Sequence, residues 1–233
     1  MQSIRAALPT LSRPYPEALR ARADEIAAAD KAEARRRAME RMERTRIPAI
    51  FREIGIDAVP RKVADYAAAF RYAAEHGEQF GRNLVIVGDY GTGKTESACA
   101  VLLHAMGAER PSGASMVVRF TDASDIKRRV TAAYGGAGSE QEVVEAFVAV
   151  PLLCVDDLGK GLDSKPARGA LFDVINGRYH AGKPTIYTTQ YGMEQLIARF
   201  IACGMDEQDA SALVRRVVKQ DCEVVHTRRG RRG

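Results

Sequence analysis

The stretch Asn83-Leu-Val-Ile-Val-Gly88-Asp-Tyr-Gly-Thr-Gly93-Lys94-Thr95 decides how the chain folds. Four apolar residues open into a glycine-rich turn ending in Lys-Thr, and positions 88–95 fit the pattern G-x-x-x-x-G-K-[ST]. Glycines at 88, 91 and 93 let the backbone curl tightly enough to aim several N–H groups at one polyphosphate. Lys94 then reaches the β- and γ-phosphates and Thr95 offers its hydroxyl to Mg²⁺, while the helix starting there turns its positive end toward the same anion. Leu84–Val87 reads as a buried strand and Glu96–Met106 as a helix, so the strand–loop–helix order that the motif needs is present. The candidate nucleotide-binding set is Gly88, Asp89, Tyr90, Gly91, Thr92, Gly93, Lys94, Thr95 and Glu96, for ATP with Mg²⁺.

With 233 residues, 46% of them hydrophobic, the chain is long enough for one well-buried α/β domain and an appendage. No apolar run approaches the roughly 18 residues of a membrane span, and the N-terminus has no apolar signal segment, so a cytoplasmic protein with no membrane partner is expected. Cysteines at 99, 154, 203 and 222 lack C-x-x-C spacing, which favours free thiols in a reducing compartment. The net charge of +5 is uneven: residues 1–46 carry +4, four arginines after Thr227 another +4, and the middle −3. Basic ends on a mildly acidic body suit a polyanion or an acidic protein.

Three units follow from composition: a basic helical arm over 1–46, a core over 47–227 and an Arg-rich tail over 228–233. From Glu17 to Arg46 there is no proline or glycine and both charge signs are mixed, which favours a long exposed helix. Its apolar stripe (Leu19, Ile26, Ala29, Met39, Met42) is too thin to bury much surface, so it is expected to lean on a partner or be partly disordered. After a linker bracketed by Pro48 and Pro60, an amphipathic helix spans 61–76. The core then alternates: strand 83–87, helix 94–106, strand 115–120, helices near 122–134 and 139–149, strand 151–156, helix 167–181, strand 184–189, helices 192–202 and 206–218, strand 222–226. Ser139-Glu-Gln-Glu142 is a capping-box signature. Such alternation predicts a three-layer parallel α/β sheet.

A phosphate loop alone says only that a nucleotide binds. Pro151-Leu-Leu-Cys-Val-Asp156-Asp157-Leu-Gly159 adds chemistry, because an apolar strand ending in carboxylates delivers them to the C-terminal sheet edge where ligands sit. Asp156 is the candidate Mg²⁺ ligand with Thr95, and Asp157 the group that polarises the attacking water.

Gly88–Thr95, Leu152–Gly159 and Ala170–Gln190 together resemble the AAA+ ATPases of the DnaC/IstB type, bacterial and phage replicative-helicase loaders and transposition helper ATPases. The resemblance covers roughly 47–226 and implies a P-loop AAA+ sheet with further site residues. It places Gln190, where an Asn is usual, at the end of the sensor I strand, with Thr188 and Thr189 beside it. It makes Arg216 the arginine finger reaching a neighbouring subunit's nucleotide, with Arg178 as a second interface candidate. Lys94, Asp157, Gln190 and Arg216 form the candidate catalytic set. Lys127, Arg128 and Arg129 fall where initiator-type relatives line the inside of a spiral assembly, making them candidates for contact with single-stranded DNA.

The leading expectation is a slow, partner- or DNA-stimulated ATPase that loads a replicative hexameric helicase onto single-stranded DNA, self-associating with nucleotide into a ring or spiral. The alternative is an IstB-like helper binding duplex DNA and a transposase. A small-molecule P-loop kinase would need a basic lid and acceptor pocket, and a scaffold with a dead site remains open through Gln190 and Asp157.

Overall fold

The computed structural model describes residues 17–161, 164–219 and 221–228. Residues 1–16 of the expected basic arm and most of the Arg-rich tail lie outside them. The chain divides into two compact units, Met1–Glu43 and Arg44–Gly233.

Most of the first unit is helix α1 (Glu17–Thr45), and from Asp24 to Arg41 every side chain is exposed. Ile26 and Met39 are 55% and 70% exposed, so these two members of the thin apolar stripe are uncovered. Pairs one turn apart, Glu33 with Arg37 and Arg36 with Glu40, line the helix surface.

In the second unit Ile47 is buried and two single 3₁₀ turns, Ala49–Phe51 and Ile56–Ala58, make the linker. Helix α2 (Arg61–His76) buries Val63, Tyr66, Ala67, Phe70 and Ala73 and stops at Gly77, whose φ of 69° ends the helix in the left-handed region. The remaining elements are β1 (Leu84–Val87), α3 (Lys94–Met106), β2 (Val118–Asp122), α4 (Ala123–Ala132), α5 (Glu140–Val148), β3 (Leu152–Asp156), α6 (Lys165–His180), β4 (Thr185–Thr189), α7 (Met193–Ala202), α8 (Glu207–Val217) and β5 (Glu223–His226).

The five strands form one parallel sheet in the order β2-β3-β4-β1-β5. Parallel strands need crossovers, and the crossover helices cover both faces. Val85, Val87, Leu153, Val155 and Tyr187 point into a core shared with α4 to α8. By the alternation of strand side chains, Leu84, Ile86, Leu152, Cys154 and Ile186 point the other way, where α3 packs on β1 to β4 and α2 packs on α3 and β5. The expected three-layer α/β sheet is therefore the architecture. Among the described residues, no helix is long and apolar enough to cross a membrane. All four cysteines are free.

Two segments depart from the expected pattern. Strand β2 starts at Val118 rather than 115, because Ser115 is bridged antiparallel to Glu109 around a turn at Gly113. The helix expected to reach 134 ends at Ala132 and loosens into a π turn over Ala133–Ala137, where Gly136 has a φ of 95°. The capping box forms as predicted: Ser139 Oγ accepts from the Glu142 N–H at 3.2 Å, and the Glu142 carboxylate accepts from the Ser139 N–H at 2.9 Å.

Candidate nucleotide-binding site

Strands β1, β3 and β4 are neighbours, so their C-terminal ends bring three separate parts of the sequence to one edge. The Gly88 N–H donates to the Thr189 carbonyl of β4 at 3.1 Å, which fixes where the loop leaves the sheet. A Cβ at Gly88 would lie 2.4 Å from Thr227 Oγ1 and 2.6 Å from the Thr227 carbonyl oxygen, so only glycine fits there. Gly91 and Gly93 take φ of 70° and 79°, turning the loop into the first turn of α3. Lys94 is 7% exposed and its Nζ donates to the Asp89 carbonyl of its own loop at 2.8 Å. Tyr90 stands out from the loop, 64% exposed, and Asp89 and Glu96 are exposed on either side.

Thr95, the second residue of α3, donates its hydroxyl to Asp156 at the end of β3, 3.0 Å to Oδ1 and 3.1 Å to Oδ2. Thr188 of β4 donates to Asp156 Oδ1 at 2.5 Å, and its oxygen accepts from the Asp157 N–H at 2.9 Å. One fully buried hydroxyl thus positions both carboxylate residues. Burial raises the Asp156 pKa above the ordinary carboxylate value; the hydrogen bonds from Thr188 and Thr95 oppose that rise, and the charges of Asp157 and Asp122 add to it. Asp157 itself takes a left-handed φ of 52°, and its Oδ2 accepts from Lys160 Nζ at 2.8 Å. Lys160 Nζ also lies 4.4 Å from the centre of the Tyr90 ring, so the loops after β1 and β3 meet through a cation–π contact.

A threonine hydroxyl and a carboxylate in contact beside a phosphate-binding loop suit a hard cation that takes its remaining ligands from phosphates and water. Among the described residues there is no cluster of three or more His, Cys, Asp or Glu able to hold a metal by itself.

Gln190 sits half-buried just past β4, and its side chain makes no hydrogen bond among the described residues. Arg216, near the end of α8, lies with its guanidinium 5.6 Å from the Phe172 ring centre and 5.8 Å from that of Tyr179, and its Nε is buried without a partner. Arg215 beside it is exposed. Arg178 differs from expectation: it is 1% exposed and cannot serve as a surface contact. Its guanidinium donates to Thr185 Oγ1 at 2.8 Å and to the carbonyls of Phe147, Val150 and Pro184 at 2.9, 2.7 and 2.5 Å. It is a buried brace between α6, α5 and the start of β4, and burial pushes its pKa down to about 10. Lys127, Arg128 and Arg129 lie on α4; Arg128 and Arg129 both bond to Asp125, at 3.2 and 2.8 Å.

Lys160 and Thr227 were not among the sequence candidates. Thr227 follows β5 and its hydroxyl lies 2.8 Å from that of Thr92, so the last strand closes onto the phosphate loop. Neither had a motif to mark it; only the position of Lys160 four residues after Asp156 hinted at the same sheet edge.

A glycine-rich loop between strand and helix, a strand-end carboxylate bonded to the loop's threonine, and the order β2-β3-β4-β1-β5 define a P-loop nucleotide-binding protein. The match to the pattern described as "IstB-like ATP binding protein" runs over residues 27–231, and the chain belongs to that family of ATP-binding proteins. The match begins inside α1, well before the residue-47 start expected from the motifs. Among solved structures, DnaI aligns with a TM-score of 0.61 at 18% identity, covering 79% of this chain and 96% of that one. The DnaC helicase loader aligns at 0.56 and 22%, covering 78% and 100%. A DnaA bound to AMPPCP and single-stranded DNA aligns at 0.58 and 17%, covering 79% and 52%. No curated protein matches the chain.

Proposed function

We propose that the chain is an ATP-dependent loader of a replicative hexameric helicase. The observation that carries the reading is the contact between Thr95 and Asp156, held by Thr188 of the intervening strand. ATP would bind through the 88–96 loop with Lys94 on its phosphates, and Mg²⁺ would sit between Thr95 and Asp156. Asp157 would orient the attacking water, Gln190 would sense the γ-phosphate from β4, and Arg216 would be offered to the nucleotide of an adjacent copy. Nucleotide would govern self-association into a ring or spiral, and hydrolysis would release the partner. The exposed charged helix α1, with Ile26 and Met39 uncovered, supports a partner-binding arm, and α4 supports a nucleic-acid contact. The fold shared with DnaC and DnaI supports a replication role in the cytoplasm.

The test is co-purification with candidate helicases in ATP and in ADP, with oligomer mass measured in each; failure to retain any helicase in either state would defeat the reading. The family match favours a second reading, a helper ATPase that binds duplex DNA and stimulates a transposase. Retention of a transposase instead of a helicase would select it.

A further inference from the structure

Arg119 points from edge strand β2 into a cavity of about 170 Å³ whose walls include Arg129, Ser139, Glu142, Val143 and Phe147. Its guanidinium carbon lies 4.5 Å from the centre of the Phe147 ring, and that of Arg129 lies 5.8 Å from the same ring. Two cations of like sign are thus held against one aromatic ring. Arg129 spends its Nε on Asp125. Arg119 has no hydrogen bond or ion pair among the described residues, and its Nε is buried without a partner. Glu142, the nearest wall carboxylate in sequence to the ring, is committed to the capping box of α5.

A half-buried guanidinium with nothing to donate to is an incomplete arrangement, because its fork geometry matches carboxylate and phosphate oxygens. Burial, and the neighbouring charges of Arg129 and Arg46, push the Arg119 pKa below its usual range, while Asp125 pulls it back; an arriving anion would offset the repulsion from the two arginines. The cavity holds about six waters at roughly 30 Å³ each. That suits one tetrahedral oxyanion and is well below the roughly 300 Å³ where pockets for larger ligands begin. Phe147 is fully buried, so no base can stack on its ring. Lys127 and Arg128 precede Arg129 on α4, each turned by roughly 100° around the helix from the next, so positive charge is spread around α4 beside the cavity, with Asp125 offsetting part of it.

We propose that Arg119 and Arg129, stacked on Phe147, form a seat for one backbone phosphate of a nucleic-acid single strand. This rests on the reading of α4 as a nucleic-acid face and extends that face onto the edge strand of the sheet. The contact is independent of base sequence, since it uses phosphate oxygens alone.

Binding of a labelled oligothymidine, followed by fluorescence anisotropy across a salt series with a non-hydrolysable ATP analogue, tests it. Arg119→Gln should weaken binding and lower the slope of log K against log salt by about 0.7, the value for one phosphate contact on a single strand. ATP-analogue affinity should not change. Arg128→Gln is read in parallel. A flattened slope for Arg128→Gln with none for Arg119→Gln overturns the seat and leaves the α4 face standing; no change in either, or no binding by the wild type, removes both. If Arg119→Gln lowers oligomer mass without altering the salt slope, the seat takes a carboxylate of a second copy and the proposal fails. Should Arg119→Gln not fold, Arg119→Lys keeps the charge without the fork: weaker binding at an unchanged slope supports the seat, and unchanged affinity overturns it.

Discussion

Lys160 and Asp157 form an ion pair, 2.8 Å from Nζ to Oδ2, at the mouth of the nucleotide site, with the Lys160 ammonium also resting on the Tyr90 ring. One oxygen of the carboxylate that would polarise the attacking water is therefore engaged. The pair is 31% and 40% exposed, so it is worth at most about 1 kcal/mol. We predict that Lys160→Met raises basal ATP turnover by up to about fivefold and reduces stimulation by a partner, because it removes a contact the partner would otherwise displace. Single-turnover hydrolysis with and without single-stranded DNA measures this; a fall in basal rate would make Lys160 a phosphate ligand instead.

Thr188 is fully buried and serves Asp156 as donor and Asp157 as acceptor. Thr188→Val keeps the shape and removes both bonds. It should cost about 1–3 kcal/mol, a fall in Tm of very roughly 2–12 °C for a domain of this size, with a larger loss in Mg²⁺-dependent than in Mg²⁺-free nucleotide binding. Calorimetry and nucleotide titration with and without Mg²⁺ separate the two effects; equal losses in both titrations would deny Thr188 a part in holding the metal ligand.

Asp156 carries the pH prediction. Its folded pKa is raised above the unfolded value, chiefly by burial, so ionised Asp156 costs stability at neutral pH, and that cost is relieved as pH falls through the folded pKa. Asp156→Asn should therefore raise Tm at pH 7, with the difference from wild type shrinking at acid pH, while Mg²⁺-dependent nucleotide binding is lost. Thermal melts from pH 7 down to pH 4 give the comparison. A variant less stable than wild type at pH 7 would mean that the bonds from Thr95 and Thr188 outweigh desolvation.

Much of this site was legible because the two motifs are local: a loop that turns over eight residues, and a strand that carries its carboxylates at its own end. The order of strands and helices was legible for the same reason, since periodicity is a property of neighbours in sequence. What was not legible arises between distant residues. Thr92 meets Thr227, Arg178 meets carbonyls about thirty residues upstream, and β2 begins late because Ser115 pairs with Glu109. An arginine in the last turn of an exposed-looking helix gives no sign that the chain will close over it. Arg178 is such a case: the resemblance makes it a subunit-interface candidate, whereas the fold buries it.

Arg178 gives a stability prediction. Removing its side chain would leave the buried carbonyls of Phe147, Val150 and Pro184 without a donor. At about 1–3 kcal/mol for each unsatisfied group, Arg178→Met should destabilise the fold by at least about 3 kcal/mol. ATP affinity of the folded fraction should not change, because none of these groups touches the phosphate loop. Urea unfolding with nucleotide binding measured below the transition tests both parts; wild-type stability would show that α5 and β4 repack without the brace.

Arg216 and Lys94 separate the two halves of the proposed composite site. Lys94 lies under the phosphate loop, so Lys94→Ala should abolish ATP binding. Arg216 rests on Phe172 and Tyr179 with an unpartnered Nε, and in an assembly its guanidinium would have to turn from those rings toward the adjacent nucleotide. Arg216→Ala should spare ATP binding and lower assembly-dependent hydrolysis by about 10³-fold, the scale of an arginine supplied in trans. Arg215→Ala is the discriminating control, since Arg215 is the exposed member of the pair. If Arg215→Ala carries the loss and Arg216→Ala does not, the stacked arginine is structural and its neighbour is the finger. If Arg216→Ala and Lys94→Ala fail equally to bind ATP, the arginine acts within its own subunit and the shared-site picture is wrong.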